Sequence, residues 1–291
     1  MKKDIIVIVG PTGVGKTKVS IELAKRLDAE IINGDSVSIY KRLNIGSAKP
    51  TIEEREGIPH HLIDIRDIGE EYSVYDYQKD GRKIIDELEK NNKQIIIVGG
   101  TGLYIKALLY DYRFTEGTKY DEYNDLSNEE ILTKINEFDQ DINIHPNNRQ
   151  RLIRTLNKIE NNEEINSNKD QALYNIKVIG LTTNRDLLYE RINKRVEIMF
   201  TNGLLEEVNS LKEYYSKSKI LNNAIGYKEF VPYFNNECSL NEVKEEIRKN
   251  SRHYAKRQYT FFNNQFNTNW YDVNFNDINT TIEEIYCDII K

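Results

Sequence analysis

Residues 5–20 read IIVIVGPTGVGKTKVS, and this stretch decides the fold. Its first five residues form an unbroken, mostly β-branched run, which is typical of a parallel strand buried on both faces. Beyond the glycines, apolar residues recur on one helical stripe, at Val19, Leu23, Ala24 and Leu27. The stretch therefore predicts a strand, a glycine-rich loop and a helix in succession.

The loop GPTGVGKT matches the phosphate-binding pattern GxxxxGK[ST] in the strand-to-helix context that the pattern requires. Its backbone N–H groups can converge on phosphate oxygens at the positive end of the helix. Lys16 adds a cation, and the Thr17 hydroxyl can coordinate magnesium. The predicted phosphate-binding residues are Gly10, Pro11, Thr12, Gly13, Val14, Gly15, Lys16 and Thr17. Because the motif is complete, we disfavour the alternative that this is a glycine-rich turn without a ligand. The motif does not identify which di- or triphosphate binds.

Further strand patterns occur in EIIN (30–33), QIIIVGG (94–100) and KVIGLTT (177–183), and a helical pattern over 73–91 leads into the second of them. Strands that alternate with helices predict parallel βαβ units. We therefore expect an α/β protein with a P-loop NTPase-like parallel sheet flanked by helices.

Residues 114–175 differ in composition from the flanking segments, because they are polar and acidic and carry two helical patterns. This predicts an α-helical subdomain inserted into a catalytic core formed by residues 1–113 and 176–291. The tail from residue 184 onward has mostly helical patterns.

The composition excludes several classes of protein. No run approaches the roughly 18 apolar residues of a membrane span, and the N-terminus lacks the form of a signal peptide. Cys238 and Cys287 are far apart, which disfavours a disulfide framework or a zinc site. We therefore expect a cytoplasmic protein without a membrane partner.

The net charge of −6 argues against indiscriminate nucleic-acid binding but allows a local basic patch.

Two polar residues follow predicted strands at the carboxyl edge of the sheet, where ligands of open α/β sheets bind. Asp35, in NGDSVSIY (33–40), can act as a general base or can cap the next turn, and its position alone does not decide between them. Thr101, in VGGTGLYIKALL (98–109), can cap a helix or face the ligand crevice. Neither strand has a clear Walker B acidic end, which weakens the NTPase interpretation.

Each of three clusters of basic residues has two interpretations: its side chains contact phosphate, or they form a solvated charged face. HPNNRQRLIR contains Arg149, Arg151 and Arg154, of which the last two share a helical face. LYERINKRVEIMF places Arg191 and Arg195 one helical turn apart, near Glu190 and Glu197. In KEEIRKNSRHYAKRQYTFF, a basic stripe alternates with aromatic side chains that could stack on bases, at Arg248, Arg252, Lys256, Tyr254, Tyr259 and Phe261. Taken singly, the first and third clusters favour the solvated face.

Taken together, the motifs resemble those of bacterial tRNA dimethylallyltransferases, also called tRNA isopentenyltransferases. Eight segments occur in the family's order and span nearly the whole chain: GPTGVGKT, GDSVSIYKRLNIGSAKP, GIPHHLIDI, IVGGTGLYIKALL, IHPNNRQRLIR, LYERINKRVEIMFTNGLLEEV, AIGYKE and YAKRQYTFF. The resemblance implies transfer of a dimethylallyl group from dimethylallyl diphosphate to the N6 amine of the adenosine 3′-adjacent to the anticodon, in tRNAs reading codons that begin with U.

The resemblance also implies roles for individual residues. The catalytic set is Asp35, which activates the amine, with Lys16, Thr17 and Arg195, which stabilise the diphosphate, and Thr17 holds magnesium. The residues that match the family's tRNA-contacting segments are Asp35, Ser36, Val37, Ser38, Thr101, Gln150, Arg151 and Arg154. The implied partners are the anticodon stem-loop and dimethylallyl diphosphate, bound by a monomer.

Three departures from the family pattern stand out. After residues 110–116 the family's Pro/Asp-rich stretch with its Arg has no clear counterpart, Asn223 and Lys228 occupy positions where relatives carry Arg, and Phe261 replaces a usual Trp. Two alternative functions stay open on the residues: an adenylate isopentenyltransferase acting on free AMP, and a small-molecule P-loop kinase. The basic helix and the arginines of the insertion favour tRNA, since a free nucleotide needs neither.

Overall fold

A computed structural model describes residues 3–112, 114, 123–140, 142, 144–161 and 171–291. In these residues, six parallel strands form one sheet in the order β3-β2-β4-β1-β5-β6. Their bounds are β1 Ile5–Val9, β2 Ala29–Asn33, β3 His60–His61, β4 Gln94–Val98, β5 Ile176–Thr182 and β6 Thr268–Asp272. The predicted parallel α/β sheet is confirmed.

Helices follow or precede the strands in the βαβ manner. Their bounds are α1 Lys16–Leu27, α2 Val74–Lys90, α3 Gly102–Leu109, α4 Asn128–Phe138, α5 Arg149–Glu160, α6 Arg185–Thr201, α7 Leu204–Ser210, α8 Lys219–Asn223, α9 Val231–Phe234, α10 Leu240–Gln265 and α11 Ile278–Ile290. None of these helices is both long and apolar enough to cross a membrane.

The chain divides into two compact units, residues 1–109 with 173–291, and residues 110–172. In the larger unit, β1 is buried along its whole length because sheet neighbours flank it and helices cover it. The apolar stripe of α1 packs into this core through Val19, Leu23 and Ala24. The predicted strand and helix of the opening stretch are therefore both present.

The smaller unit has its own hydrophobic core. Its helices α4 and α5 pack together, and the core is made by Tyr123, Ile131, Ile135, Ile144, Leu152, Ile153 and Leu156. Each helix begins at a side-chain cap, Ser127 for α4 and Asn148 for α5, which accept backbone N–H groups of Glu130 and Arg151.

The tail contains a strand that the sequence patterns did not predict. β6, with the sequence TNWYD, pairs with β5 from Val178↔Thr268 to Thr182↔Asp272. It is an edge strand made of half-buried and exposed residues, so it lacks the continuous apolar run that marks the central strands. The short edge strand β3 escaped prediction for the same reason.

Candidate functional site

The glycine-rich loop adopts a conformation that only glycines tolerate well. Gly10, Gly13 and Gly15 have positive φ angles of 142°, 83° and 100°. A Cβ atom added to Gly10 would lie 2.5 Å from the carbonyl oxygen of Leu181. Lys16 begins helix α1 directly after Gly15, so the loop presents the amino end of a helix.

Positive charge is concentrated beside this loop. The Lys16 ammonium donates hydrogen bonds of 2.9 Å to the carbonyl oxygens of both Gly10 and Pro11. Burial and the nearby positive charge of Arg195 lower the pKa of Lys16 to about 7, and Asp35 opposes the shift. Burial also lowers the pKa of Arg195, again opposed by Asp35. Two half-buried basic side chains on the wall of one cleft form a setting that an anion would stabilise.

Asp35 lies two residues after β2 and is held in place by its own loop. Its Oδ1 atom accepts a hydrogen bond from the Val37 N–H at 2.9 Å. The buried Asn33 side chain brackets it, since Oδ1 of Asn33 accepts from the Asp35 N–H at 3.1 Å and Nδ2 donates to the Asp35 carbonyl at 2.9 Å. The Asp35 carboxylate is therefore bound by the Val37 N–H, and the Asp35 backbone is held at the edge of the sheet by the Asn33 side chain.

The loop after β4 fits against the Asp35 loop through close backbone approach. A Cβ atom at Gly99 would lie 2.2 Å from the carbonyl carbon of Gly34, so the two loops can touch only with glycine there. Thr101 then accepts the Ser36 N–H through Oγ1 at 3.1 Å and donates its own N–H to the Gly34 carbonyl at 3.0 Å. The Thr101 hydroxyl thus connects the two loops at the carboxyl edge of the sheet.

Arg191 and Arg195 of α6 contact loops and do not form a surface ladder. Arg191 donates its Nε–H to the Gly13 carbonyl at 3.0 Å and lies over the Phe275 ring at 3.7 Å. Arg195 donates to the Ala48 carbonyl at 3.5 Å. In the described residues, Glu197 pairs instead with Lys244 and Arg248 of α10.

Helix α10 uses much of its predicted basic stripe for packing. Arg248 pairs with Glu197 and Glu245, and Arg252 donates to the Asn193 Oδ1 atom at 2.7 Å. The contacts with Glu197 and Asn193 tie α10 to α6, and the two ion pairs of Arg248 lower the positive charge that the stripe would otherwise present. Lys256 and Arg257 are exposed, and the Arg257 guanidinium lies 5.6 Å from the Tyr254 ring.

A cleft of about 1090 Å³ in the larger unit gathers most of the predicted site. Of the predicted residues, its walls include Thr12, Gly13, Gly15, Lys16, Thr17, Asp35, Ser36, Val37, Ser38 and Arg195. Gly10, Pro11 and Val14 are the buried residues of the loop and do not line the cleft, and neither does Thr101, although its neighbour Gly100 does. Ser38 reaches the cleft although only 5% of it is exposed.

The predicted tRNA-contacting residues of α5 belong to the smaller unit. Gln150, Arg151 and Arg154 are exposed. Arg149 differs from them, because its guanidinium donates to the carbonyls of Leu126 and Tyr123 at 2.8 Å and to Asn128 Oδ1 at 2.9 Å. Arg149 thus stabilises its own unit.

Two residues that the sequence analysis did not single out support the cleft. Gln258 of α10 is 4% exposed and bonds both the Thr12 N–H and the Gly100 carbonyl. Glu207 of α7 accepts three successive backbone N–H groups, those of Asn44, Ile45 and Gly46, at 3.1, 2.8 and 3.2 Å. Gln258 lies in the segment YAKRQYTFF, whose basic and aromatic side chains form a stronger pattern than its single amide.

The parallel sheet, the GxxxxGKT loop and the adjoining carboxylate define a P-loop α/β protein with an anion-binding cleft. Comparison with known proteins specifies it further. The family model described as IPP transferase matches residues 38–265. The chain is 45% identical over 284 residues to the tRNA dimethylallyltransferase of Anoxybacillus flavithermus, covering 94% of this chain and 91% of that one. It is 44% identical over 287 residues to the tRNA dimethylallyltransferase of Bacillus subtilis, with coverages of 94% and 91%.

A solved structure, the tRNA isopentenylpyrophosphate transferase of Bacillus halodurans, matches with a TM-score of 0.78 and 39% identity, over 99% of this chain and 96% of that one. A eukaryotic dimethylallyltransferase acting on tRNA matches with a TM-score of 0.76 and 28% identity, over 92% and 74% of the two chains. The chain belongs to the tRNA dimethylallyltransferase (IPP transferase) family.

Proposed function

We propose that this chain transfers a dimethylallyl group from dimethylallyl diphosphate to the N6 amine of the adenosine 3′-adjacent to the anticodon, in tRNAs that read codons beginning with U. One observation carries the proposal: the GxxxxGKT loop, the half-buried cations Lys16 and Arg195 and the Asp35 carboxylate line a single cleft. Membership of the family supports it.

The diphosphate of the donor lies against the P-loop, Lys16 and Arg195. The reaction breaks the bond between C1 of the dimethylallyl group and the bridging oxygen, and forms a bond between C1 and N6. Negative charge grows on the leaving diphosphate, where the loop amides and the two cations stabilise it. Asp35 accepts a hydrogen bond from the amine, whose lone pair is otherwise delocalised into the ring, and receives the proton that N6 loses.

Thr17, an exposed residue on the cleft wall at the start of α1, offers a hydroxyl that would fit magnesium. Among the described residues, no group of three His, Cys, Asp or Glu side chains is placed to hold a metal. This sparse donor set suits magnesium, which takes most of its ligands from phosphate oxygens and water. When bound, the ion neutralises charge on the diphosphate.

The anticodon stem-loop brings the target adenosine to Asp35. In this proposal Ser36, Val37, Ser38 and Thr101 contact the tRNA near the base, and Gln150, Arg151 and Arg154 contact it from the smaller unit. The adenosine leaves its stack to reach the cleft, which costs about a few kcal/mol. The chain acts as a monomer in the cytoplasm.

Nucleoside mass spectrometry tests the proposal. The protein, magnesium and dimethylallyl diphosphate are incubated with unmodified tRNA and, separately, with AMP. We expect a prenyl mass gain on adenosine of the tRNA alone, and its loss in Asp35→Ala. A gain on AMP would move the function to free nucleotides. Absence of prenyl transfer, with ATP consumed in a parallel incubation that contains ATP, would indicate a kinase.

A further inference from the structure

Gln258 occupies a position between two loops of the cleft. Its Oε1 atom accepts the Thr12 N–H of the P-loop at 3.0 Å, and its Nε2 atom donates to the Gly100 carbonyl at 3.0 Å. One turn earlier on α10, the Tyr254 hydroxyl donates to the same Gly100 carbonyl at 3.0 Å. A Cβ atom at Gly100 would lie 2.0 Å from Gln258 Nε2, so this contact depends on glycine.

Further hydrogen bonds connect Gly100 and its neighbour to the loop that carries Asp35. The next residue, Thr101, accepts the Ser36 N–H at 3.1 Å, and Ser36 directly follows Asp35. One buried amide therefore joins the loop that faces the diphosphate, through Gly100 and Thr101, to the loop that carries Asp35.

Only an amide satisfies both partners of Gln258. The Thr12 N–H needs an acceptor and the Gly100 carbonyl needs a donor, and a single Gln side chain offers one of each. A carboxylate in its place would repel the Gly100 carbonyl. An apolar side chain would leave the part-buried Thr12 N–H unpaired and the Gly100 carbonyl with only the Tyr254 hydroxyl as donor. Because Gln258 is 4% exposed, water is poorly placed to replace it.

We propose that Gln258 is a positioning residue that sets the distance and orientation between the bound diphosphate and Asp35. This inference rests on the proposed function, since the distance matters only if the leaving group and the activated amine belong to one reaction. Misplacing reacting groups by about 1 Å can lower a rate by about 100-fold while each ligand still binds.

Two variants of similar size test the proposal, Gln258→Met and Gln258→Glu, with Asn263→Asp as control because Asn263 is an exposed amide on the same helix. We expect kcat to fall by about 100-fold in Gln258→Met, with the KM for dimethylallyl diphosphate changed less than about threefold and inorganic pyrophosphate binding nearly kept. Gln258→Glu should show the same loss in kcat, so the test survives if one variant fails to fold. Asn263→Asp should match the wild type.

Hydrogen exchange of the whole chain supplies a readout that does not depend on prenyl transfer. In the wild type, pyrophosphate should slow exchange in the P-loop and also in residues 99–101 and 34–37. In Gln258→Met the P-loop should stay protected and the two distant segments should lose the effect.

The outcomes separate the two proposals. Absence of prenyl transfer by the wild type, with the exchange pattern as described, would overturn the proposed function and leave the coupling by Gln258 standing. Unchanged kcat and unchanged exchange in Gln258→Met would overturn the positioning role. Loss of pyrophosphate binding in that variant would also overturn it, because Gln258 would then only build the P-loop.

Discussion

Arg191 holds the carbonyl of Gly13 by a hydrogen bond of 3.0 Å from its Nε atom. The same guanidinium lies 3.7 Å from the centre of the Phe275 ring, so the P-loop is supported from α6 and from the segment that follows β6. A planar guanidinium can stack and donate at once, and a lysine ammonium cannot do both in this geometry.

We therefore expect Arg191→Lys to weaken pyrophosphate binding by about tenfold, equivalent to about 1.4 kcal/mol. Calorimetric titration measures the change. Arg185→Lys is the matched control, because Arg185 lies on the same helix over the Tyr189 ring and is exposed. Equal affinities in wild type and Arg191→Lys would show that the P-loop keeps its shape without this contact.

The lowered pKa of Lys16 predicts how stability depends on pH. Burial brings this pKa from 10.5 to about 7, so between these values the folded chain binds fewer protons at Lys16 than the unfolded chain. Stability rises with pH where the unfolded state binds more protons. The free energy of unfolding of the wild type, minus that of Lys16→Met, should therefore increase from pH 7 to pH 9. Urea unfolding at both pH values measures it, and a constant or decreasing difference would contradict the assignment.

Glu207 supports the loop of residues 44–46 that lines the cleft. Its carboxylate accepts three backbone N–H groups and the Tyr227 hydroxyl at 2.7 Å. Glu207→Ala should lower the free energy of unfolding by about 2–3 kcal/mol, because hydrogen bonds to a charged group are strong and their donors would be left unpaired.

The neighbouring Glu206→Ala is the control for this substitution, since Glu206 is exposed and its loss should change stability by at most about 0.5 kcal/mol. Tyr227→Phe should cost less than Glu207→Ala, and the double variant less than the sum, because the two side chains share one bond. Similar unfolding curves for the two glutamate variants would remove Glu207 from this role.

The arginines of α5 should separate into binding and structural roles. Arg151→Ala should weaken binding of the anticodon stem-loop and lower the slope of log affinity against log salt by about one, as expected for one lost phosphate contact. Filter binding at several salt concentrations measures both.

Arg149→Ala should instead speed hydrogen exchange within the smaller unit, because it removes three hydrogen bonds to Tyr123, Leu126 and Asn128. An unchanged salt slope in Arg151→Ala would argue that this side chain does not contact tRNA phosphate.

The strongest predictions from sequence concern elements with a regular pattern. The continuous apolar run of β1 and the helical stripe of α1 correctly indicate a buried strand and its helix, and the P-loop between them is set by local glycine conformations. The edge strand β6 has no such pattern, because one side of an edge strand is not covered and its residues need not be apolar.

The contacts of basic side chains, in contrast, could not be predicted from the sequence. Arg149, Arg151 and Arg154 look alike in sequence, yet Arg149 donates three hydrogen bonds within its own unit. Arg248 looks like part of an exposed stripe, yet it pairs with Glu197, 51 residues earlier in the chain. A charge pattern does not reveal the partner of each charge, because that partner is brought close only by folding.

The primary structure is enough to establish the α/β class, the phosphate-binding loop and, through resemblance, the family, since these depend on local periodicity, local glycine geometry and motif order. The meeting of Thr12 and Gly100 on the single amide of Gln258 depends on folding, as does the lowered pKa of Lys16 beside Arg195. Hydrogen bonds and electrostatic shifts act over a few ångströms. Residues 246 positions apart in the chain, such as Thr12 and Gln258, acquire them only when the sheet and α10 bring them together.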